Sequence, residues 1–530
     1  MDVRTAIAGL ELLARLPWFL NRQFTIDEAR EIQIQQLRNR QKRFLLFLRK
    51  AIFAFPDHPV HQLLKQAGCE YGDLKALVNR DGVEETLRTL LQSGVYLSVD
   101  EFKGRRPAVR GSVTIDVSPD RMRNPLAAFH IPSQSGGSRS AGTPVLFDLA
   151  FVRACAVAYA LHLNACGGDD WLKVIWEPPD AGARFRLMTT SCFGTRPAAW
   201  FSQVDPKGPD AGGIFRWSER ALRWGAIIGG VKLPPPVLAS LEDPRPVLHW
   251  IRAALERGET PYLVSSASSI VRLAATALET GIDIRGTQAT MAGEPTTQAR
   301  LDTSAEAGIR SVPRYGSMES GPIAVGCLNP EAADDTHVLR DLHAVIQAGS
   351  QGEHIGMPSR AMLITNLHPA APFTMLNFSL GDEADMVDRD CGCPTEQLGW
   401  VPHLKNIRSY EKLTVGGMTF HDSDLVNVLE RVLPARFGGN PSDYQLVESE
   451  DSNGRACLVL VVHPRLGPLD ATLIEDAFLR AIGKSPLEGM MASMWQHSHF
   501  IRVERCTPIA TAAGKILHLH VDSAGSWKSQ

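Results

Sequence analysis

FHIPSQSGGSRSAGTPV occupies residues 129–145. Serine hydroxyls and glycine amides can aim several donors at one anion, because glycine allows the backbone turns such a nest requires. A Gly/Ser-rich surface linker has the same composition. The stretch lacks Gly-Lys-Ser/Thr, so it is not a Walker A loop, and it is not GxGxxG either. Its neighbours carry more. From Phe129 to Asp382 short strand-like runs alternate with helical patterns, the signature of an α/β fold. Ile270, Leu273, Ala274, Ala277 and Leu278 fall at i, i+3, i+4, i+7 and i+8, one face of a helix that Gly281 stops.

Upstream, Thr25-Ile-Asp-Glu28 has the form of a capping box and opens a basic helix, roughly Asp27 to Phe55. Its cluster Arg38, Arg40, Lys42 and Arg43 reads as a solvated face, with an anion site as the alternative. MDVRTAIAGLELLARLPWFL carries charges inside its apolar stripe, an amphipathic helix and not a signal peptide. Asp205 to Gly213 and LPPPV at residues 233–237 read as loops. Downstream, a helix over Leu425 to Leu433, the runs YQLVESE and RACLVLVVH, a helix near Leu473 to Ile482 and FIRVERC predict a small α+β unit. The expected division is 1–407 and 408–530.

The 530 residues suffice for two domains and a large core. A net charge of −3 gives no reason to expect nucleic acid or an anionic membrane as partner. The longest apolar strand-like run, Leu458 to Val462, is far too short to span a bilayer. Nine cysteines, odd in number and mostly scattered, argue for a reducing cytoplasm.

Five further segments follow in order: MAGEP (Met291–Pro295), RYGSMESG (Arg314–Gly321), LNFSLGD (Leu376–Asp382), NIRSYEKLTVGG (Asn406–Gly417) and TAAGKI (Thr511–Ile516). Their order and spacing resemble the acyl-adenylate-forming superfamily of acyl-CoA ligases and adenylation domains. YLVSSASSIVRLAATALETG and AFPDHPVHQLLKQAG look most like its phenylacetate–CoA ligase-like branch. The resemblance runs from about Gln35 to Ile516. It implies a large N-terminal α/β domain with mixed sheets and a small mobile C-terminal α+β domain.

It also implies an activity. A carboxylic acid, here an aryl or arylacetic acid, would be joined to AMP at the expense of ATP, and the acyl group then passed to a thiol. The acceptor would be coenzyme A or the phosphopantetheine of an acyl carrier protein. An amine acceptor, or a nucleotide-binding homologue without turnover, are the alternatives. A homodimer is compatible with the resemblance. Trp171, Trp176, Phe193, Trp200 and Phe215 are either an acid pocket or core aromatics.

Chemically the motifs fit these roles. Ser135, Ser138, Arg139 and Thr143 would neutralise the β- and γ-phosphates. Arg139 would replace the lysine usual in that loop. Glu319 matches the family's Mg²⁺ carboxylate, and one or two carboxylates plus phosphate oxygens suffice for that ion. Tyr315 and Gly316 would line the adenine and acyl-adenylate site, with Gly293, Glu294 and Pro295 as its other wall. Asp382 would accept both ribose hydroxyls. Arg408 would reach the ribose or phosphate just before the hinge, where Tyr410 replaces the usual acid or lysine. Lys515 would touch the acid and the α-phosphate as charge builds.

Cys391-Gly-Cys393 is the one close cysteine pair. With Cys327 and His337 it makes a three-thiolate, one-imidazole set suited to structural Zn²⁺, as the resemblance also implies. His343 is the competing imidazole. Buried, hydrophobe-like cysteines are the other reading.

Overall fold

The computed structural model describes residues 14–128, 131–134, 144–178, 181–206, 213–241, 243–294, 296–410, 414–415, 418–419, 425, 428–439, 443–450, 456–482, 495, 500–508 and 519–521. Ser135, Ser138, Arg139, Thr143, Pro295 and Lys515 therefore lie outside the described residues.

Among the described residues, a sheet of twelve strands organises the chain. Its order in space is His343–Gln347, Ala361–Asn366, Phe378–Asp388, Pro402–Ser409, Thr336–Val338, Gly321–Gly326, Arg310–Ser317, Gln288–Ala292, Pro261–Ser266, Leu172–Trp176, Ala199–Ser202, Pro236–Leu238. From Arg310–Ser317 to Pro236–Leu238 neighbouring strands are parallel. On the other side all pairs are antiparallel. The parallel half needs helical crossovers and is covered by helices, so its strands read as unbroken apolar runs. Pro261–Ser266 and Ala199–Ser202 show this burial.

Helix Ala267–Thr280 starts at Ser266, whose side chain accepts from Ser269 N, and ends at Gly281 with φ +68°, as its sequence predicts. Ile270, Leu273, Ala274 and Ala277 are buried, but Leu278 is exposed. The capping box at Thr25 forms: Thr25 N donates to Glu28 at 2.8 Å, and Glu28 N to Thr25 at 3.2 Å. The helix it opens is not continuous. Ile26–Arg38 stops at Asn39, whose amide side chain returns to Gln35 O at 2.9 Å, and Arg40–Leu48 then runs into a wide turn, Arg49–Phe53.

The basic cluster divides in two. Arg38 and Lys42 are solvated. Arg40 is buried and binds Glu84, Arg340 O and His343 O, while Arg43 donates to Asp341 O. These two arginines tie the helix to the turn before His343 and are spent on the fold.

Downstream, Tyr444–Glu450, Ala456–Val462, Ile501–Glu504 and Leu519–Val521 make, among the described residues, a separate four-stranded sheet. Helix Ala471–Ile482 buries Ile474, Ala477 and Phe478. Val428–Val432 is a wide helical turn that passes into Leu433–Phe437. Leu446, Leu458 and Leu460 share one apolar cluster with Ile270, Leu273 and Ala277 of the large sheet's covering helix. The Arg272 guanidinium lies 4.2 Å from the Phe500 ring centre. LPPPV, read as loop, instead enters the edge strand at Pro236, a place where the missing N–H costs no ladder bond.

Candidate functional site

Ligands of open parallel sheets bind outside the carboxyl ends of the strands. Met291–Glu294 and Arg314–Gly321 both fall at that end. The parallel pairing of these strands ends at Ala292 and Arg314, so Gly293 and Tyr315 come next side by side, Gly293 beyond its strand and Tyr315 still paired with Ala324. Gly293 takes φ +80°, open to glycine at no steric cost. Glu294 turns inward: its carboxylate lies 3.8 Å from Arg300, both side chains buried.

Beyond Tyr315 the register shifts, and the chain folds back into Gly321–Gly326. A Cβ on Gly316 would stand 2.6 Å from Gly321 O, so the tight return requires glycine. The turn is pinned by Ser317 Oγ, which accepts from Ser320 N at 3.1 Å and meets Ser320 Oγ at 2.9 Å. Glu319 rides on this turn, 8% exposed. Among the described residues none donates to its carboxylate.

Asp382 approaches from the antiparallel half. It follows Gly381, at φ +86°, and pairs with Ser409. The Tyr315 hydroxyl donates to Asp382 Oδ2 at 2.9 Å. Burial and the Asp382 charge hold the Tyr315 phenol well above its ordinary range, so it stays a donor. Tyr410 anchors the same edge: its N donates to Gly381 O at 3.0 Å, and its hydroxyl meets Ser379 Oγ at 2.7 Å.

Arg408 is opposite Glu383, one position from the Asp382–Ser409 pair. Strand alternation puts Arg408 and Asp382 on opposite faces. Arg408 Nη1 binds Asp334 Oδ2 at 3.0 Å. Asp334 also accepts from Asn406 N and Ile407 N at 2.8 and 2.7 Å. Asn406, at φ +55°, bends the strand toward it. The structure thus gathers Gly293, Tyr315, Gly316 and Asp382, sets Glu319 on the adjoining turn, and ties Arg408 to a carboxylate on its other side. Asp334 was not singled out from sequence. Its signal was the Asp-Asp pair just ahead of His337.

The aromatic candidates are core. Trp171, Trp176, Phe193 and Trp200 are buried. Trp176 Nε1 donates to Ala239 O at 2.8 Å, and Phe193 lies under the Lys173 ammonium at 3.6 Å. The side chain of Phe215 is outside the described residues.

Cys327, His337, Cys391 and Cys393 converge, all buried, with donor atoms within 4.8 Å of one another. His337 Nε2 is 3.6 Å from Cys391 Sγ and 3.2 Å from Cys393 Sγ. A tetrahedral zinc would set such S···N edges at about 3.5 Å. His337 Nδ1 lies 2.6 Å from Trp400 O, which fixes the proton on Nδ1 and turns the Nε2 lone pair to the thiols. Burial lowers His337 to about 4, keeping it neutral, and raises the Cys327 thiol. Asp335, bonded to Arg389 and His403 at 2.6 Å each, backs the cluster. His343, the competing imidazole, bonds Pro322 O instead.

No family model matches the chain. No curated protein matches it either. Solved structures do. The chain superposes on 2-hydroxyisobutyryl-CoA ligase, in complex with 2-HIB-AMP and CoA in the thioesterification state, with a TM-score of 0.58 at 15% identity, covering 92% of this chain and 90% of that one. A variant of an amide bond synthetase from Marinactinospora thermotolerans aligns at TM-score 0.41 and 14% identity, over 87% and 92% of the two chains, too loose a match to define a fold. No described helix is long and apolar enough to cross a membrane. The chain therefore has the α/β fold of the 2-hydroxyisobutyryl-CoA ligase, and among the described residues its mixed sheet of twelve strands brings Tyr315 and Asp382 together.

Proposed function

We propose that this chain activates a carboxylic acid with ATP and passes the acyl group to a thiol. The observation that carries this is the Tyr315–Asp382 hydrogen bond at the carboxyl edge of the parallel strands, in a chain with the fold of a CoA ligase. In the first step the acid's carboxylate oxygen attacks the α-phosphorus. A new O–P bond forms, the bond to the β-phosphate oxygen breaks, and pyrophosphate leaves.

Asp382 accepts the ribose hydroxyls while Tyr315 holds its carboxylate in place. Gly293, Glu294 and Pro295 offer backbone to the nucleotide, because the Glu294 carboxylate is engaged with Arg300. Gly316 leaves the acyl-adenylate site without a side chain. Glu319, a buried carboxylate without a described partner, suits a hard cation: Mg²⁺ held there would offset phosphate charge. Ser135, Ser138, Arg139 and Thr143 neutralise the β- and γ-phosphates. Residues 408–530 form the second, moving domain, which brings Lys515 to the reacting acid and the α-phosphate. Arg408 holds the approach to the hinge through Asp334.

In the second step the thiol sulfur attacks the acyl carbon. A C–S bond forms, the mixed-anhydride C–O bond breaks, AMP leaves and the thiol proton passes to solvent. An aryl or arylacetic acid is the substrate class that the phenylacetate–CoA ligase-like motifs favour. Coenzyme A or carrier phosphopantetheine is the acceptor. The Cys327–His337–Cys391–Cys393 cluster fits Zn²⁺ as a closed structural site with no position for substrate. Such thiols call for a reducing compartment.

Pyrophosphate release with a panel of acids tests the first step. AMP and thioester formation on adding coenzyme A or pantetheine tests the second. Release that is unaffected by any thiol but stimulated by amines would replace the thiol acceptor. No acid-dependent release would leave a nucleotide-binding protein.

A further inference from the structure

Two helices meet at the edge of the parallel half and leave apolar side chains uncovered. One is the helical stretch 14–21 and the other is Gly213–Ile228. Pro17 lies so close to Gly229 that a Cβ there would stand 2.7 Å from Pro17 Cα. Around this contact Trp18 is 64% exposed, Trp224 66%, Ile227 52% and Ile228 77%. Arg220, Trp224, Ile227 and Ile228 occupy i, i+4, i+7 and i+8, a single outward stripe.

Along these two segments the charge has one sign. Arg15, Arg22, Arg220 and Lys232 are exposed, and Arg22 lies 5.3 Å over the Trp18 ring. Residues 14–25 and 220–241 contain no Asp or Glu. Glu219, Glu242, Asp27 and Glu28 border these spans, and the hydrogen bond from Thr25 N, helped by Arg22, holds the Glu28 carboxyl below its usual range. A chain with a net charge of −3 thus concentrates cations around exposed tryptophan and isoleucine at one corner.

We infer that this corner docks on an anionic lipid surface. Indoles favour the boundary between hydrocarbon and water, and arginine and lysine beside them favour anionic headgroups. The side chains stand out from two convex helix faces. A fluid apolar phase fills the space between such projections, whereas a folded protein partner would need a matching cavity for each. Only peripheral attachment is meant, since no described helix can span a bilayer.

Flotation of the full chain tests this, with vesicles of phosphatidylcholine alone and of phosphatidylcholine with phosphatidylglycerol. At low salt the anionic vesicles should carry roughly tenfold more protein, a preference lost as salt screens the cations. The double variant Trp224→Ser, Ile228→Ser should stay with the soluble fraction. Arg220→Glu with Lys232→Glu should lose the preference for phosphatidylglycerol. These positions are exposed, and an unchanged thermal midpoint checks that both variants fold. Wild-type protein that fails to float with anionic vesicles overturns the inference, as does equal flotation of the Trp224/Ile228 variant. Equal flotation with both lipid mixtures also overturns it. Vesicle-independent self-association that the Trp224/Ile228 substitutions abolish would assign the surface to a second copy instead.

Discussion

Tyr315 and Asp382 touch at 2.9 Å although their strands stand four places apart in the sheet. At about 4.8 Å per strand a flat sheet would separate them by roughly 19 Å. The sheet therefore curls at this edge, and the hydrogen bond closes the gap between its parallel and antiparallel halves. The ribose site we propose exists only in that curled form.

Removing either partner should separate position from charge. Asp382→Ala should weaken ATP and AMP alike, since both carry the ribose. A lost hydrogen bond to a charged group is worth about 1.5–3 kcal/mol, or roughly ten- to a hundred-fold in affinity. Tyr315→Phe keeps the carboxylate and loses only its positioning, so the loss should be about tenfold or less. Calorimetric titration with ATP·Mg and AMP measures both. A larger loss in Tyr315→Phe than in Asp382→Ala would assign the binding to the tyrosine.

Arg139→Ala should behave differently. If residues 135–143 hold the β- and γ-phosphates, ATP affinity should fall about ten- to a hundred-fold while AMP affinity holds. Equal losses would take Arg139 away from the phosphate tail. No loss would make the stretch a surface linker.

Purified without chelators, the protein should hold about one zinc per chain. Cys393→Ser should lose the metal and lower the thermal midpoint, because metal binding contributes directly to folding. Elemental analysis and calorimetry report on the two effects. Protein free of zinc would leave the four side chains as a buried thiol cluster.

Acid should weaken the fold through buried histidines. His58 accepts from Val60 N at 3.1 Å and meets Thr374 Oγ1 at 2.5 Å, so it must be neutral in the native state. Burial lowers it from 6.5 to about 4. Between these values the unfolded chain binds the proton and the native chain does not. Stability present above pH 6.5 is thus lost as pH falls toward 4, by up to about 3 kcal/mol for this residue. Urea midpoints across the window should show a shallower acid loss for His58→Gln than for wild type.

What could be read from sequence was local. Gly281 and the Thr25 capping box are set by neighbours in the chain, and they stand where their spacing puts them. What could not be read depends on distant partners. Arg40 and Arg43 belong to a basic run, yet Glu84 and the backbone at residues 340–343 claim them. Arg408 meets Asp334 across 74 residues, a pairing without periodic signal. The Asn39 break was hidden because asparagine inside a helical pattern costs little until its side chain bonds backward. Net charge concealed the cationic corner, since an average carries no position.

The central claim is that this chain makes an acyl-adenylate. ATP–pyrophosphate exchange measures that step alone, without thiol or second domain motion toward it. Exchange should appear only with a carboxylic acid present, and Lys515→Ala should reduce it about a hundredfold or more while ATP binding stays nearly intact. If a broad panel of aryl, arylacetic and aliphatic acids elicits no exchange from folded, ATP-binding protein, the chain is not an adenylating enzyme.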